Sequence, residues 1–237
     1  MAYYRALGRL PRQRHTQLRD EDGHLFREEL MGEEGFSSDS SLLYRRGVPS
    51  AITDSTVWEL GDQTRTPNHP LKPRHLKLHD LSTGQCPVEG RRLVLGNNDV
   101  RIAYVVTGTE ASPLYRNAIG DECVYVEAGE ATVETMFGVL QARQGDYVIV
   151  PRATVHRWLP TGDGPLRTYV IEANSHITPP KRYLSKFGQL LEHAPYCERD
   201  LHGPAEPYLV EGTDVEVWTK HRGHGPSGVV GSVVVYP

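Results

Sequence analysis

The chain has 237 residues, of which 38% are hydrophobic and 24% charged, values that are ordinary for a water-soluble globular protein. Its 26 Lys and Arg against 30 Asp and Glu give a formal net charge of -4, so no overall positive field attracts nucleic acid or an anionic membrane. The expected partner is therefore a small molecule or another protein. Cys86, Cys123 and Cys197 lie far apart without a CxxC spacing, which argues against a disulfide framework. Because the N-terminus also lacks an apolar signal core, we expect a cytoplasmic protein.

Residues 1–50 are polar and contain clusters of glycine and serine, as in MGEEGFSSDSSLLY at 31–44. Such a composition is typical of a segment that packs on another surface instead of building its own core. The sequence predicts an extended N-terminal arm.

Residues 51–178 are predicted to form the main domain with its lead-in strands. Between about residues 90 and 172, short runs rich in Val, Ile, Tyr and Thr alternate with turn residues. The runs are RRLVLG, RIAYVVTG, CVYVEAG, ATVETMFG, DYVIVP and RTYVIEA. Short strands separated by turns at this density predict an all-β fold, either an antiparallel sandwich or a barrel.

Residues 179–237 begin as a looser connecting segment. Leu184, Phe187, Leu190 and Leu191 recur at helical spacing, which predicts a short helix around 184–192. The chain then returns to strand character and closes with an apolar run at 229–236. With nothing after it to pair with, this run is predicted to leave an unpaired hydrophobic edge.

A two-part pattern of turn residues and metal-ligand types lies within residues 115–156. Gly129 follows Glu122 by seven residues, Pro151 follows Gly145 by six, and His156 comes five residues later. This spacing is that of a cupin, a jelly-roll β-sandwich whose strands can place imidazoles and a carboxylate around one metal ion.

The histidine pair that precedes the glutamate in a metal-binding cupin is missing, and Tyr115 and Asn117 stand in its place. One hypothesis is that Glu122 and His156 still bind a metal with help from Tyr115 or Asn117. A non-haem Fe(II) site, however, uses two imidazoles and a carboxylate. The favoured interpretation is therefore that Glu122 and His156 are vestigial, buried and hydrogen-bonded inside the sandwich.

The remaining candidate ligands are weaker. His69, His75 and His79 are flanked by basic residues that repel a cation, so we interpret them as part of a basic connecting segment. His221 and His224 either lie in a glycine-flanked surface loop or complete a small metallo-cupin with the vestigial pair.

Three strings resemble homogentisate 1,2-dioxygenase: MAYYRALGRLPRQRHTQ at 1–17, EELMGEEGFSSDSSLLY at 28–44 and PRHLKLHDL at 73–81. The resemblance implies a bicupin that uses Fe(II) to cleave homogentisate to maleylacetoacetate, in tyrosine and phenylalanine catabolism, and that assembles as a homo-oligomer. It also implies that two histidines and a glutamate hold the iron in the C-terminal cupin. This chain corresponds to the N-terminal, metal-free cupin, so no catalytic or cofactor-binding residue is assigned to it.

We therefore expect the N-terminal half of a bicupin, with an arm at 1–50, a degenerate cupin at 51–178, and a connecting segment with the truncated start of the second half at 179–237. Such a chain is expected to bind no iron and to be inactive alone. The alternative is a non-catalytic degenerate cupin that acts as an interaction or assembly module through its arm and an exposed sheet edge.

Overall fold

The computed structural model describes residues 7–13, 16–224 and 227–237, so residues 1–6, 14 and 15 of the first family-like string lie outside the described residues. The strands are β1 Arg27–Glu34, β2 Ser37–Arg45, β3 Asp54–Trp58, β4 Arg92–Gly96, β5 Val100–Thr107, β6 Tyr115–Asn117, β7 Glu122–Ala128, β8 Glu130–Thr135, β9 Gly138–Arg143, β10 Tyr147–Val150, β11 His156–Pro160, β12 Leu166–Ala173, β13 Val215–Arg222 and β14 Val229–Tyr236. Short 3₁₀ helices lie at Leu78–Asp80, Lys181–Tyr183 and Glu198–Asp200. The described part of the chain contains no helix long and apolar enough to cross a membrane.

The main body is a sandwich of two sheets, which confirms the all-β prediction. The five-stranded sheet has the order β10-β7-β12-β5-β4, and the seven-stranded sheet has the order β3-β14-β13-β6-β11-β8-β9. Each of the six strand-like runs between residues 91 and 173 contributes a strand. An apolar core lies between the two inner faces; its buried members are Ala103, Val105, Val124, Val126, Ala131, Val133, Ala142, Val148, Val150, Trp158, Leu166 and Val170. A smaller cluster contains the buried residues Cys86, Val88 and Tyr115.

Alternation along the strands explains this layering. In β12 every second residue from Leu166 to Glu172 is buried, and β7 buries Glu122, Val124 and Val126 in the same way. Successive strand residues point to opposite faces, so these buried positions share the inner face of the sheet. Burying a valine or leucine side chain there stabilises the fold by about 1.5–3 kcal/mol. Glu122 and Glu172 follow the same alternation although they are charged, which marks one end of the core as a polar site.

The predicted arm forms a separate two-stranded hairpin. Strands β1 and β2 pair from Arg27 opposite Arg45 to Glu34 opposite Ser37. Its root and its turn both contact the sandwich. Arg45 Nη2 lies 3.6 Å from Met136 Sδ, and Arg152 Nη2 donates to the Glu33 carbonyl at 2.7 Å. Both contacts are polar, and no residue of β1 or β2 belongs to the apolar core clusters.

The helix predicted around 184–192 is wrong. Residues 181–183 form a 3₁₀ turn, and Leu184 pairs with Leu190 in an isolated antiparallel bridge. The Ser185 hydroxyl accepts the backbone N–H groups of Phe187 and Gln189, both at 3.2 Å, which gives this segment an alternative to helical bonds. The apolar side chains at helical spacing do not cover a common face.

The unpaired edge predicted for the end of the chain is also wrong. Strand β14 pairs with β13 on one side and with β3 on the other, both antiparallel. Strand β13 in turn runs parallel to β6, with Trp218 opposite Tyr115 and Lys220 opposite Asn117. The strands of the final segment thus complete the sheet that carries His156. The divisions at residues 50 and 178 stay a prediction.

Candidate functional site

The strand register brings buried charges into one row at the end of the five-stranded sheet. Arg101 of β5 is opposite Glu172 of β12, which is opposite Glu122 of β7. All three residues are buried. Gly120 allows this arrangement, because a Cβ at this position would overlap the Ala173 carbonyl as β7 begins beside the end of β12. A charged row inside a sandwich needs partners from the opposite sheet or from a loop.

Arg91, just before β4, supplies the main partner for Glu122. Its Nη1 donates to Glu122 Oε1 at 2.8 Å and its Nη2 to Oε2 at 2.9 Å. The seven-stranded sheet adds two donors to the same Oε1: the Tyr115 hydroxyl at 2.9 Å and Asn117 Nδ2 at 3.0 Å. The guanidinium also lies 4.8 Å from the centre of the Tyr115 ring. A fully buried carboxylate thus accepts from four donors, two of which belong to one guanidinium cation.

These contacts fix the charge states of the pair. Burial alone raises the pKa of Glu122, but the attraction of Arg91 and the hydrogen bonds it donates lower that pKa to about 2. Burial would lower the pKa of Arg91, whereas Glu122 raises it above its ordinary value. Burial, followed by the charge of Glu122, raises the pKa of Tyr115. Near neutral pH the group is a carboxylate and a guanidinium joined by a neutral phenol.

A second ion pair continues the network. Lys220 Nζ donates to Glu172 Oε2, and Arg91 Nη1 lies 3.4 Å from Glu172 Oε1. Lys220 is on β13, Glu172 on β12 and Arg91 in the loop before β4, so the network ties both sheets to that loop.

His156 is buried, and only one of its ring nitrogens has a partner. Its Nδ1 lies 2.9 Å from the Thr154 carbonyl, which can only accept, so Nδ1 carries the proton. Nε2 is buried without a partner among the described residues, and the ring packs edge-on against Tyr115 with 5.5 Å between centroids. Burial lowers the pKa of His156, which keeps the imidazole neutral.

The donor set at Glu122 does not fit Fe(II). Both carboxylate oxygens already bind Arg91, and Tyr115 and Asn117 stand where a metal cupin has histidines. Among the described residues of this site, His156 Nε2 is a buried nitrogen that has no hydrogen-bond partner. The guanidinium of Arg91 neutralises Glu122, as a metal cation would do in a metal-binding cupin. Sequence reasoning missed Arg91 because no local pattern links it to Glu122; the only signal was that a buried carboxylate needs a cation.

The other histidines are not brought to this site. His79 Nε2 lies 2.7 Å from Glu127 Oε1, while His69 and His75 are exposed. His221 follows the inward-pointing Lys220, so it points to the other face, where its Nε2 lies 2.8 Å from Ser232 Oγ. The alternative of a small metallo-cupin completed by His221 therefore finds no support in the geometry, and His224 is exposed.

Within the described ranges, one further group has metal-ligand types close together. The ligand atoms of Asp20, Asp22 and His24 all lie within 4.8 Å of one another. The group sits in a tight turn before the arm hairpin, where the Asp20 carboxylate already accepts the backbone N–H of His24 at 2.7 Å. Its Asp-x-Asp-x-His spacing is a local signal that sequence reasoning missed.

The two facing sheets, the polar end of the core and the turn spacing define an all-β protein with a cupin fold. Residues 101–172 match the Cupin domain family (Cupin_2). Over 210 residues, or 86% of its length, the chain is 32% identical to a protein of Saccharolobus solfataricus named "Putative dioxygenase". The chain spans about half of that relative, 52% of its length.

Solved structures give shorter alignments. A conserved protein with a double-stranded β-helix domain from Klebsiella pneumoniae aligns at 22% identity and a TM-score of 0.38, over 44% of this chain and 92% of that one. A Ralstonia eutropha protein described as a "putative mannose-6-phosphate isomerase" aligns at 28% identity and a TM-score of 0.37, over 43% of this chain and 98% of that one.

Proposed function

We propose that this chain is the metal-free cupin of an Fe(II)-dependent, ring-cleaving dioxygenase that acts on homogentisate. The family-like strings in the sequence and the name of the Saccharolobus relative support the dioxygenase class. The single observation that carries the metal-free role is the two-point contact between Arg91 and Glu122. In this contact the Arg91 cation binds both oxygens of Glu122, the carboxylate that a metal-binding cupin uses as a ligand.

In this proposal the buried network is structural. Arg91, Glu122, Glu172 and Lys220 join the two sheets at the end of the sandwich that a catalytic cupin leaves open for substrate. Buried ion pairs of this kind add little net stability relative to apolar residues, but they are costly to break and can fix one arrangement of the strands. The iron and the ring cleavage would belong to a cupin outside these residues.

The metal-free role is tested by measuring iron content and oxygen uptake on the purified 237-residue chain given homogentisate, Fe(II) and ascorbate. We expect background iron and no uptake. About one iron per chain together with uptake would overturn the assignment and would make Glu122 and His156 the first residues to substitute.

The dioxygenase class is tested separately, on the product of the complete natural coding sequence. We expect that product to consume oxygen when given homogentisate and Fe(II), and to do so equally well when His156 is replaced by Ala in a folded variant. If that product consumes no oxygen when given homogentisate, the substrate assignment is wrong, but the metal-free role of this cupin is not affected.

A second candidate function is an assembly module, and exposed apolar residues favour it. Phe36 at the tip of the arm hairpin is 98% exposed, and Val57 on β3, at one edge of the seven-stranded sheet, is 80% exposed. An edge strand with exposed apolar side chains is suited to pairing with a second chain. If this function holds, light scattering finds an oligomer, and Phe36→Ser together with Val57→Lys shifts it to monomer. A monomeric, well-folded wild-type chain would argue against it.

A further inference from the structure

A cavity of about 220 Å³ opens between the two sheets beside Arg91. Its lining holds three cations and three carboxylates, which are Arg91, Arg101 and Lys220, and Glu59, Glu89 and Glu172. Because these charges balance, the lining as a whole attracts neither an anion nor a cation. The cavity is smaller than the ~300–1,000 Å³ typical of pockets for drug-sized ligands, so it suits a small molecule that carries no net charge.

Some of the charges at the cavity are already paired within the protein. Arg91 donates to both oxygens of Glu122, and Lys220 donates to Glu172. For the other three charged residues of the lining, the described part of the chain contains no ion-pair partner; these are Arg101, Glu59 and Glu89. The charges that remain for a ligand are therefore one guanidinium and two carboxylates.

Arg101 is the buried member of this unpaired set. The residue is 8% exposed, and its Nε has no hydrogen-bond acceptor among the described residues. Its Nη2 lies 3.5 Å from the Ser227 carbonyl, which is at the limit of a hydrogen bond. A buried charged donor without an acceptor is unfavourable, and a ligand group that accepts from it removes this penalty. The buried end of the cavity therefore favours a carboxylate.

The two unpaired carboxylates lie at the exposed end of the cavity. Glu59 and Glu89 are both exposed to solvent, and Glu59 directly follows Trp58, which also lines the cavity. The indole is held in place because it packs edge-on against Tyr115, with 6.2 Å between centroids, and tilts against Trp218 at 4.9 Å. A ligand cation gains from the carboxylates through charge and from the indole through a cation–π contact. This end therefore favours an ammonium group.

We propose that this cavity binds a short aliphatic ω-amino acid as its zwitterion, with the carboxylate on Arg101 and the ammonium group beside Glu59 and Glu89. Such a ligand has no net charge, in keeping with the balanced lining, and each of its ends meets a charge that the protein leaves unpaired. Its two charges are separated by a few carbons because the guanidinium is buried and the carboxylates are exposed. The site does not depend on the dioxygenase proposal, because every contact comes from this chain and binding is measured without catalysis.

The test is calorimetric titration of the 237-residue chain with 4-aminobutyrate, with a change in tryptophan fluorescence as a second signal. Butyrate lacks the ammonium group and n-butylamine lacks the carboxylate, so these two compounds are matched controls. We expect one saturable site for 4-aminobutyrate and binding of each control that is weaker by about 5-fold or more. No saturable binding of 4-aminobutyrate to the folded chain would overturn the proposal. Butyrate that binds as tightly as 4-aminobutyrate would identify a simple anion site and overturn it as well.

Variants at the buried end locate the carboxylate. Arg101→Gln is expected to weaken 4-aminobutyrate binding about 10–100-fold, the loss expected for one charge-assisted hydrogen bond. Arg143→Gln, at an exposed arginine outside the cavity, is the matched control and is expected to bind as the wild type does. Equal affinity of a folded Arg101→Gln chain would refute the placement.

Variants at the exposed end locate the ammonium group and serve as the second test if Arg101→Gln does not fold. Glu59→Gln is expected to weaken 4-aminobutyrate binding about 2–5-fold, the size of one exposed ion pair, and to leave butyrate binding unchanged. Glu110→Gln, at an exposed glutamate outside the cavity, is the matched control. A Glu59→Gln chain that weakens both compounds equally, or neither, would refute the placement.

Discussion

Replacing Arg91 by Met removes the cation from a carboxylate that has no access to water. Glu122 is 0% exposed and loses two charge-assisted hydrogen bonds of 2.8 and 2.9 Å, and it keeps only the bonds from Tyr115 and Asn117. Breaking a buried ion pair by removing one partner costs about 3–5 kcal/mol. We expect Arg91→Met to lower the free energy of unfolding by that amount, measured by urea denaturation with tryptophan fluorescence.

The neighbouring Arg92 provides the matched control. It is exposed on β4, so Arg92→Met is expected to change the unfolding free energy by no more than about 0.5 kcal/mol. Adding Glu122→Gln to Arg91→Met removes the uncompensated charge and is expected to recover about 2 kcal/mol, because the side-chain amide still accepts from Tyr115 and Asn117. A cost below about 1 kcal/mol for Arg91→Met, or an additive double variant, would refute the view that Arg91 neutralises Glu122.

Glu122, His156 and Gly231 each give a further prediction. The pKa of Glu122 is about 2 in the folded protein against an ordinary 4.5. Its contribution to stability is therefore complete above about pH 4.5 and is lost as the pH falls toward 2. Across that range the urea midpoint should fall less steeply in Glu122→Gln than in the wild type. His156→Ala should lower the free energy of unfolding by about 2–4 kcal/mol, because the substitution leaves a cavity. It should not change the metal content of the purified chain. A metal content that is lower in His156→Ala than in the wild type would contradict the view that this site does not fit Fe(II). Gly231→Ala places a Cβ against the Trp58 indole and should destabilise by about 1–3 kcal/mol with a change in tryptophan emission, whereas Gly164→Ala, which meets nothing within 4 Å, should leave both unchanged.

The sequence by itself determined many of the strands and turns of the sandwich, because both depend on local chemistry. Runs in which β-branched and aromatic residues alternate with polar ones became strands β4, β5, β7, β8, β10 and β12. Gly129 and Gly145 adopt positive φ values of 83° and 96°, a conformation that glycine reaches without strain. The spacing of these turn glycines is enough to locate Glu122 and His156, which are the first residues of β7 and β11.

The sequence missed elements whose residues carry little local signal. Strand β6 has only three residues, and it is held by pairing with β13 and β11 rather than by its own composition. The segment at 184–192 carries apolar residues at helical spacing, but the Ser185 hydroxyl stabilises a turn instead. In the first case pairing with neighbouring strands decided the outcome, and in the second a local side-chain hydrogen bond did.

Only the tertiary structure decided how the charges pair. Arg91 lies 31 residues before Glu122, and Lys220 lies 48 residues after Glu172, distances over which no sequence pattern constrains a partner. The closing apolar strand was predicted to be unpaired, yet it lies between β3 and β13 because the chain returns across the sheet. Buried charge is matched through space rather than along the chain, so the pairing of Arg91 with Glu122 and of Lys220 with Glu172 emerges only once the sheets face each other.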